Sequence, residues 1–382
     1  MKRYNTLMKK SLIFLGAMLA VGAALYHSRD KFTAELFEPT ESTVEGGNVD
    51  SRVRGPEIVA TELDIPWELV FLPDGDLLVT ERPGRLLRID EYKNTIPISG
   101  VAHRGEGGLL GLALHPNFAE NQLIYLYLTT ASGSGLTNRV ERYRLDETAL
   151  SARKVIIEGI PGAANHDGGR IAFGPDGMLY IATGDAGKET SAQDTASLAG
   201  KILRLNDDGS IPSDNPFGNA VYSYGHRNVQ GLAWDDSGRL WATEHGRSGF
   251  QSGYDEVNLI EKGKNYGWPT IEGGATRAGM VAPALHSGAE DTWAPSGMAQ
   301  LHGYLYFAGL RGESLYVVDI SSGEAKDLKS YLRGTYGRLR SVTAGPDGML
   351  YVLTNNRDGR GSPKEKDDKI IRIDPRSFST RI

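Results

Sequence analysis

Short apolar runs recur along this chain, each introduced by a tight polar turn. Leu72-Pro73-Asp74-Gly75 leads into Leu77-Leu78-Val79-Thr80. The same phrase returns as Gly174-Pro175-Asp176-Gly177 before Leu179-Tyr180-Ile181-Ala182-Thr183, and as Gly345-Pro346-Asp347-Gly348 before Leu350-Tyr351-Val352-Leu353-Thr354. A worn copy is Trp234-Asp235-Asp236-Ser237-Gly238 before Leu240-Trp241-Ala242-Thr243. Asp-Gly suits a hairpin turn, and alternation sends Leu179 and Ile181 to one face of a strand and Tyr180 and Ala182 to the other. Both faces are apolar, as in strands stacked between neighbouring sheets.

Six units follow from this pattern: 67–90, 109–146, 170–206, 230 to about 260, 297–320 and 340–374. Most close on a second strand with a basic-apolar-acidic ending, as in Arg85-Leu86-Leu87-Arg88-Ile89-Asp90 and Lys369-Ile370-Ile371-Arg372-Ile373-Asp374. A recurring unit of this length predicts an all-β, six-bladed β-propeller. A β-sandwich would use similar strands but would not explain the repeated turn. Longer Gly-, Asn- and Pro-rich insertions at 187–197, 207–222, 250–254 and 263–291 read as loops, which repeat arrays tend to gather on a binding face.

Composition narrows the class. The 382 residues include 48 Gly and 17 Pro, which fits many turns, and the formal charge of −6 argues against nucleic acid as a partner. The absence of Cys excludes disulfides, thiol catalysis and Cys-ligated metals. Lys2, Arg3, Lys9 and Lys10 precede an apolar stretch from Leu12 to about Tyr26, the layout of an export signal. Residues 1–26 are therefore read as a signal peptide or N-terminal membrane anchor, 27–54 as a polar linker and 55–382 as the propeller. Membrane association is expected through the N-terminus only, and location is periplasmic or exported.

Candidate chemistry stands beside the strands. His166, flanked by Asn165-Asp167-Gly168-Gly169-Arg170, suits a general base at a strand entrance, or a turn His bonded to backbone. Tyr224-Gly225-His226-Arg227-Asn228 offers a forked cation beside an amide, suited to a carboxylate or a developing oxyanion, or to a surface ion pair. Thr243-Glu244-His245-Gly246-Arg247, Asp255-Glu256 and Asn265-Tyr266-Gly267-Trp268-Pro269 combine carboxylates with Gly-rich carbonyls of the kind a hard cation takes, although the spacing is not that of an EF-hand. Arg311, Arg338 and Arg340 hold comparable places in their units and, with Arg227, predict a pocket for an anion.

Taken in order, Gly105-Glu106-Gly107-Gly108, His166 with Gly169-Arg170, Gly225-His226-Arg227-Asn228, Glu244-His245-Gly246, Asp255-Glu256, Tyr266-Gly267-Trp268-Pro269 and Arg338-Leu339-Arg340 form a specific set. The chain from about Ile65 to Asp374 resembles the soluble pyrroloquinoline-quinone (PQQ)-dependent glucose/sorbosone dehydrogenases, especially the periplasmic aldose sugar dehydrogenase branch. The resemblance implies PQQ on the top face of the ring and His166 as the base that removes the sugar C1 hydroxyl proton. Hydride then passes from C1 to the quinone C5, giving an aldonolactone, with electrons going on to an external quinone or cytochrome. It implies that Arg227 stabilises charge at the C5 oxygen, that Glu106 and Asn228 lie at the cofactor, and that Arg311, Arg338 and Arg340 hold its carboxylates. It further implies one Ca²⁺ on the backbone carbonyls of Gly246 and Arg247, and a second on Glu256 and the backbone of Tyr266.

Two features depart from that pattern. Glu106 stands where many relatives place a Gln, and an acid there repels an anionic quinone unless paired or protonated. The loop 247–254 is longer and carries Phe250 and Tyr254. Two other readings use the same fold. A Ca²⁺-dependent lactonase requires a central metal held by several side-chain carboxylates and amides, and no such set is spaced over the blades. A non-catalytic ligand-binding propeller predicts that His166 and Arg227 are dispensable.

Overall fold

The computed structural model describes Pro39 and residues 42–247 and 252–378. The export segment, residues 1–26, lies outside the described residues, as does Phe250. Six four-stranded antiparallel sheets make up the fold, as the repeat predicts. Blade one is Pro66–Phe71, Leu77–Glu81, Arg85–Ile89 and Lys93–Pro97. Blade two is Leu109–Leu114, Leu123–Ser132, Gly135–Leu145 and Leu150–Gly162. Blade three is Ile171–Phe173, Leu179–Ala182, Lys201–Leu205 and Val221–Tyr224. Blade four is Val229–Trp234, Leu240–Glu244, Glu256–Ile260 and Leu285–His286. Blade five is Pro295–Leu301, Tyr304–Gly309, Leu315–Asp319 and Lys326–Tyr331.

Blade six draws Leu339–Ala344, Leu350–Thr354 and Ile370–Ile373 from the C-terminal part of the chain and its outer strand, Glu57–Ala60, from the other end. Glu57 pairs with Arg372 and Ile58 with Ile371, which closes the ring. The repeat did not signal this strand, because Glu57–Ala60 has no turn phrase before it. The fourth strands of blades one and five also escaped the pattern: they are the most solvated of their blades and carry little apolar alternation.

The turn phrase and the basic-apolar-acidic ending prove to be two halves of one device. Gly75, Gly177, Gly238 and Gly348 all take positive φ (95°, 75°, 77° and 73°), a conformation that favours glycine. In each turn the preceding Asp accepts a backbone N–H two residues on: Asp176 Oδ1 from Met178 at 3.1 Å, Asp347 Oδ1 from Met349 at 3.1 Å. In three of the four turns the other carboxylate oxygen receives the basic residue of the third strand, whereas Asp235 takes Arg239 beside its own turn. Arg204 Nε reaches Asp176 at 2.9 Å, Arg372 Nε reaches Asp347 at 2.8 Å, and Arg88 Nη2 reaches Asp74 at 2.8 Å. Tyr180 and Tyr351 hydroxyls share the same oxygens. Each exposed pair stabilises little by itself. Together they pin the register of three strands, since a slip of one residue would turn Arg204 to the opposite face.

Part of the segment read as linker lies along the propeller. Gly47 N donates to Ser330 O at 2.8 Å, Asp50 N donates to Ser377 O at 2.7 Å, and Ser42 and Thr43 bond Asp291. Closing the ring with Glu57–Ala60 removes a bare sheet edge. A chain beginning at Asp64 is expected to lose about 2–4 kcal/mol relative to one beginning at Pro39, from a few backbone hydrogen bonds and the covered edge. Urea unfolding of the two chains checks this; equal midpoints would show that the outer strand is dispensable.

Candidate active site

A blade's first strand begins, and its second strand ends, on the face opposite the Asp-Gly turns. The chemistry-bearing residues cluster there. Glu106, His166, Arg227 and Arg338 precede first strands, and Arg340 is the second residue of one. Asp185, His245, Arg311, Asn355 and Arg360 follow second strands.

His166 adopts φ 60°, and Gly168 and Gly169 continue the turn at φ 65° and 112°. A Cβ on Gly168 would run into the Ala182–Thr183 main chain, so the backbone can double back here only on glycine. Three blades grip this turn. Its own blade supplies Asp185, whose Oδ1 meets His166 Nδ1 at 2.7 Å. Blade two supplies Glu106, whose Oε2 accepts the His166 N–H at 2.9 Å. Blade four supplies Asn228, whose Oδ1 accepts Gly168 N–H at 3.0 Å. With Nδ1 committed to a carboxylate, the proton stays on that nitrogen and Nε2 is left as the basic one.

Asp185 is fully buried and in turn fixed by Gly187 N–H at 2.8 Å and by Trp268 Nε1–H at 2.9 Å. Burial pushes its carboxyl up, but the His166 ring and these donors outweigh burial and hold it below the ordinary value. The sequence reading missed Asp185. Its signal was position: it follows the second strand of blade three just as His245 follows that of blade four.

Arg227 lies beside this dyad. Its carbonyl accepts Asp185 N–H at 2.7 Å, its guanidinium carbon stands 5.4 Å from the centre of the Trp268 ring, and Nη1 donates to His245 O at 3.3 Å. Its backbone N–H donates to Glu244. Burial lowers the Arg227 pKa, and burial pushes Arg340 down to about 9. Arg340 is held by Asn355 Oδ1 at 3.0 Å and Gln230 Oε1 at 2.7 Å. Arg338 pairs with buried Asp358 at 3.0 Å, and Arg311 Nη1 donates to Ser252 Oγ at 2.6 Å. Burial also lowers Arg82, which donates to Gly105 O.

Crowding cations into a dry site is costly unless an anion joins them. Several buried donors here also lack a protein partner: Asn228 Nδ2, His245 Nε2, Arg338 Nε, Arg82 Nε and Asn355 Nδ2. A buried donor without an acceptor calls for a ligand atom. The donor set therefore fits an oxygen-rich, multiply anionic ligand. Burial and the neighbouring cations hold His245 down to about 3, so it faces such a ligand as a neutral ring. Glu106, the acid among these donors, is not alone: Arg360 Nη1 meets its Oε1 at 2.6 Å. Burial raises this carboxyl, but Arg360 and the His166 N–H pull it below the usual carboxylate range.

The residues expected at cations fall nearby in blade four. Gly246 N–H donates to Asp255 Oδ1 at 2.9 Å, and Arg247 exchanges backbone hydrogen bonds with Gly253 at 2.8 and 3.3 Å. The Arg247 side chain turns outward to Glu272 at 2.6 Å. Glu256 stands directly opposite Glu244 across the sheet, and burial together with Glu244 raises its carboxyl to about 8. Tyr266 stacks on His226 at 4.7 Å, and His226 Nδ1 meets Glu244 at 2.8 Å. Among the described residues no three acids or imidazoles converge as a metal cage, so cation donors here would be mainly carbonyls with the Glu256 carboxylate. Not every long insertion joins the site. The 187–197 loop does, through Gln193 Nε2 to Trp268 O at 2.6 Å, whereas Asp207 packs against Tyr125 and His115 of blade two.

The chain is similar to known proteins. Residues 63–371 match the family described as "Glucose / Sorbosone dehydrogenase". The aldose sugar dehydrogenase YliI of Escherichia coli is 34% identical over 358 residues, covering 84% of this chain and 93% of that one. A crystal structure of a "putative oxidoreductase (glucose dehydrogenase)" from Thermus thermophilus superposes with a TM-score of 0.79 at 46% identity, covering 83% of this chain and 99% of that one. The PQQ-bound aldose sugar dehydrogenase of Streptomyces coelicolor superposes with a TM-score of 0.78 at 44% identity, covering 84% and 97%.

The raised Glu256 carboxyl has a consequence for stability. A carboxyl that stays protonated in the folded state stabilises fully below its unfolded pKa and loses that contribution as pH rises toward its folded pKa. In chelator-treated protein, Glu256→Gln should therefore gain stability relative to the parent between about pH 5 and pH 8. Thermal unfolding across that range checks the sign; a difference independent of pH would contradict the buried, Glu244-opposed carboxyl.

Proposed function

The chain belongs to the glucose/sorbosone dehydrogenase family, and from that membership we propose that it is a PQQ-dependent oxidoreductase that oxidises aldose sugars at C1 to aldonolactones. The observation that carries the reading is the His166–Asp185 dyad, at 2.7 Å, beside a buried cationic cradle with unfilled donors. PQQ, when bound, supplies the two-electron acceptor for the C1 hydride. The protein's part is to bind, orient and move one proton.

In this reading His166 Nε2 takes the proton of the C1 hydroxyl, and Asp185 stabilises the imidazolium that forms. Arg227, stacked near Trp268 and tied to His245 O, offers its guanidinium to negative charge developing on the cofactor oxygen. Arg311, Arg338 and Arg340 take carboxylates, and Asn228 Nδ2 and His245 Nε2 supply neutral donors. A Ca²⁺ at the carbonyls of Gly246 and Arg247 would polarise a bound quinone as a Lewis acid. A second, at Glu256 and the Tyr266 carbonyl, would relieve the repulsion between Glu256 and Glu244. Electrons then leave to an external quinone or cytochrome. The basic-then-apolar N-terminus supports export, with the propeller working in the periplasm, free or held by that segment.

The test is reconstitution of protein purified from Pro39 onward with PQQ and Ca²⁺, followed by aldose-dependent reduction of an artificial dye. Activity should require both additions and disappear with EDTA, and His166→Ala should lower kcat by about 10³-fold or more. Activity untouched by His166→Ala would reject the mechanism. Absence of PQQ binding would reject the cofactor and favour a non-catalytic propeller. Asp185→Asn should lower kcat by about 10²-fold or more while leaving PQQ affinity within about threefold, since it serves the base rather than the cradle. Stopped-flow reduction and PQQ titration separate the two effects.

A further inference from the structure

Glu106 puts a negative charge into a cradle whose other donors suit an anion, and the way it is held shows how that is tolerated. One carboxylate oxygen accepts the His166 N–H at 2.9 Å, and the other meets Arg360 Nη1 at 2.6 Å. The Glu106 and Arg360 side chains are only 18% and 29% exposed, so solvent screens the pair weakly. Arg360 is itself anchored, its N–H donating to Asp358 Oδ1 at 2.9 Å, and Asp358 pairs with Arg338 at 3.0 Å. Charges thus alternate from the turn that carries the base to an arginine of the anion cradle: Glu106, Arg360, Asp358, Arg338.

Resting on the PQQ reading above, we propose that Arg360 is a positioning residue that neutralises Glu106, and so sets the affinity of the site for its anionic cofactor while holding the His166 turn. Two contacts give the pair its reach. Glu106 N–H donates to Ala164 O at 2.8 Å, so the acid and the His166 turn are joined by main chain as well as by side chain. Gly105, at φ 60°, lies so close to Ala164 that a side chain there would collide with it, which packs the main chain before Glu106 directly against the His166 turn. Without Arg360, the carboxylate loses the cation hydrogen-bonded to it and keeps only the longer-range attraction of Arg82, Arg227 and Arg340. A purely structural ion pair would behave differently: Arg360→Met would then lower stability, which neutralising Glu106 would repair, but the PQQ affinity of the folded protein would not move.

The experiment is a double-mutant cycle read by PQQ titration of tryptophan fluorescence in the presence of Ca²⁺, without sugar. Arg360→Met should weaken PQQ binding about tenfold or more. The double variant E106Q/R360M should recover to within about threefold of the parent, and Arg360→Lys should lie between the parent and Arg360→Met. If Arg360→Met binds as the parent does, or if the double variant stays as weak as the single one, the proposal is overturned. Should Arg360→Met fail to fold, E106Q/R360M against E106Q carries the test: matching affinities support it, and a gap of about tenfold overturns it. A parent protein that does not bind PQQ would instead overturn the cofactor reading on which this one rests.

Discussion

Everything in this molecule is arranged around a polar plug on the ring axis. Arg170 forms an ion pair with Glu68, donates to Gln230 O at 2.8 Å and lies 4.2 Å over the Trp67 ring. Ser341 bonds Glu68 at 3.1 Å, and Gln230 Oε1 takes both Ser296 and Arg340. These residues come from the first strands of blades one, three, four, five and six, or from the residue just before one of them. Buried charges must be paired and hydrogen-bonded or they destabilise strongly, so none of these five blades can shift without stranding a partner on another. Glycine makes the approach possible: a Cβ on Gly111, Gly231 or Gly297 would collide with the neighbouring first strand.

The plug also decides where the site lies. It fills the axis with side chains and orients Arg340, whose outer neighbours are the cradle arginines. Above it, the turn that carries the base is held by neighbouring blades as well as by its own. Glu106 of blade two grips the blade-three turn, Asn228 of blade four grips it from the other side, and Trp268 of the blade-four insertion fixes Asp185. A proton-transfer group tied from three directions loses little further freedom when substrate arrives, which is the physical content of preorganisation.

How much of this could be read along the chain depended on how local the physics was. The Asp-Gly turns and their strands announced the blades, because a hairpin turn and a doubly buried strand each impose composition over a few neighbouring residues. His166, Arg227, Asn228, Arg338 and Arg340 stood out for the same reason, as polar groups set among glycines at strand entrances. Asp185 and Arg360 did not. Their neighbours are ordinary turn sequence, and their roles arise from partners 19 and 254 residues away. The outer strand Glu57–Ala60 was silent for a related reason, since its pairing with Arg372 and Ile371 is a consequence of the ring having to close.

The sequence by itself therefore determined the number of blades, the turn that joins the first two strands of four of them and the kinds of donor carried to one end of the strands. It could not determine the charge state of that end. Glu106 read alone is a repulsive acid beside an anion, and only the folded ring brings Arg360 to it. Coulombic pairing falls off with distance through space, and a chain that closes on itself makes neighbours of residues that the sequence keeps far apart.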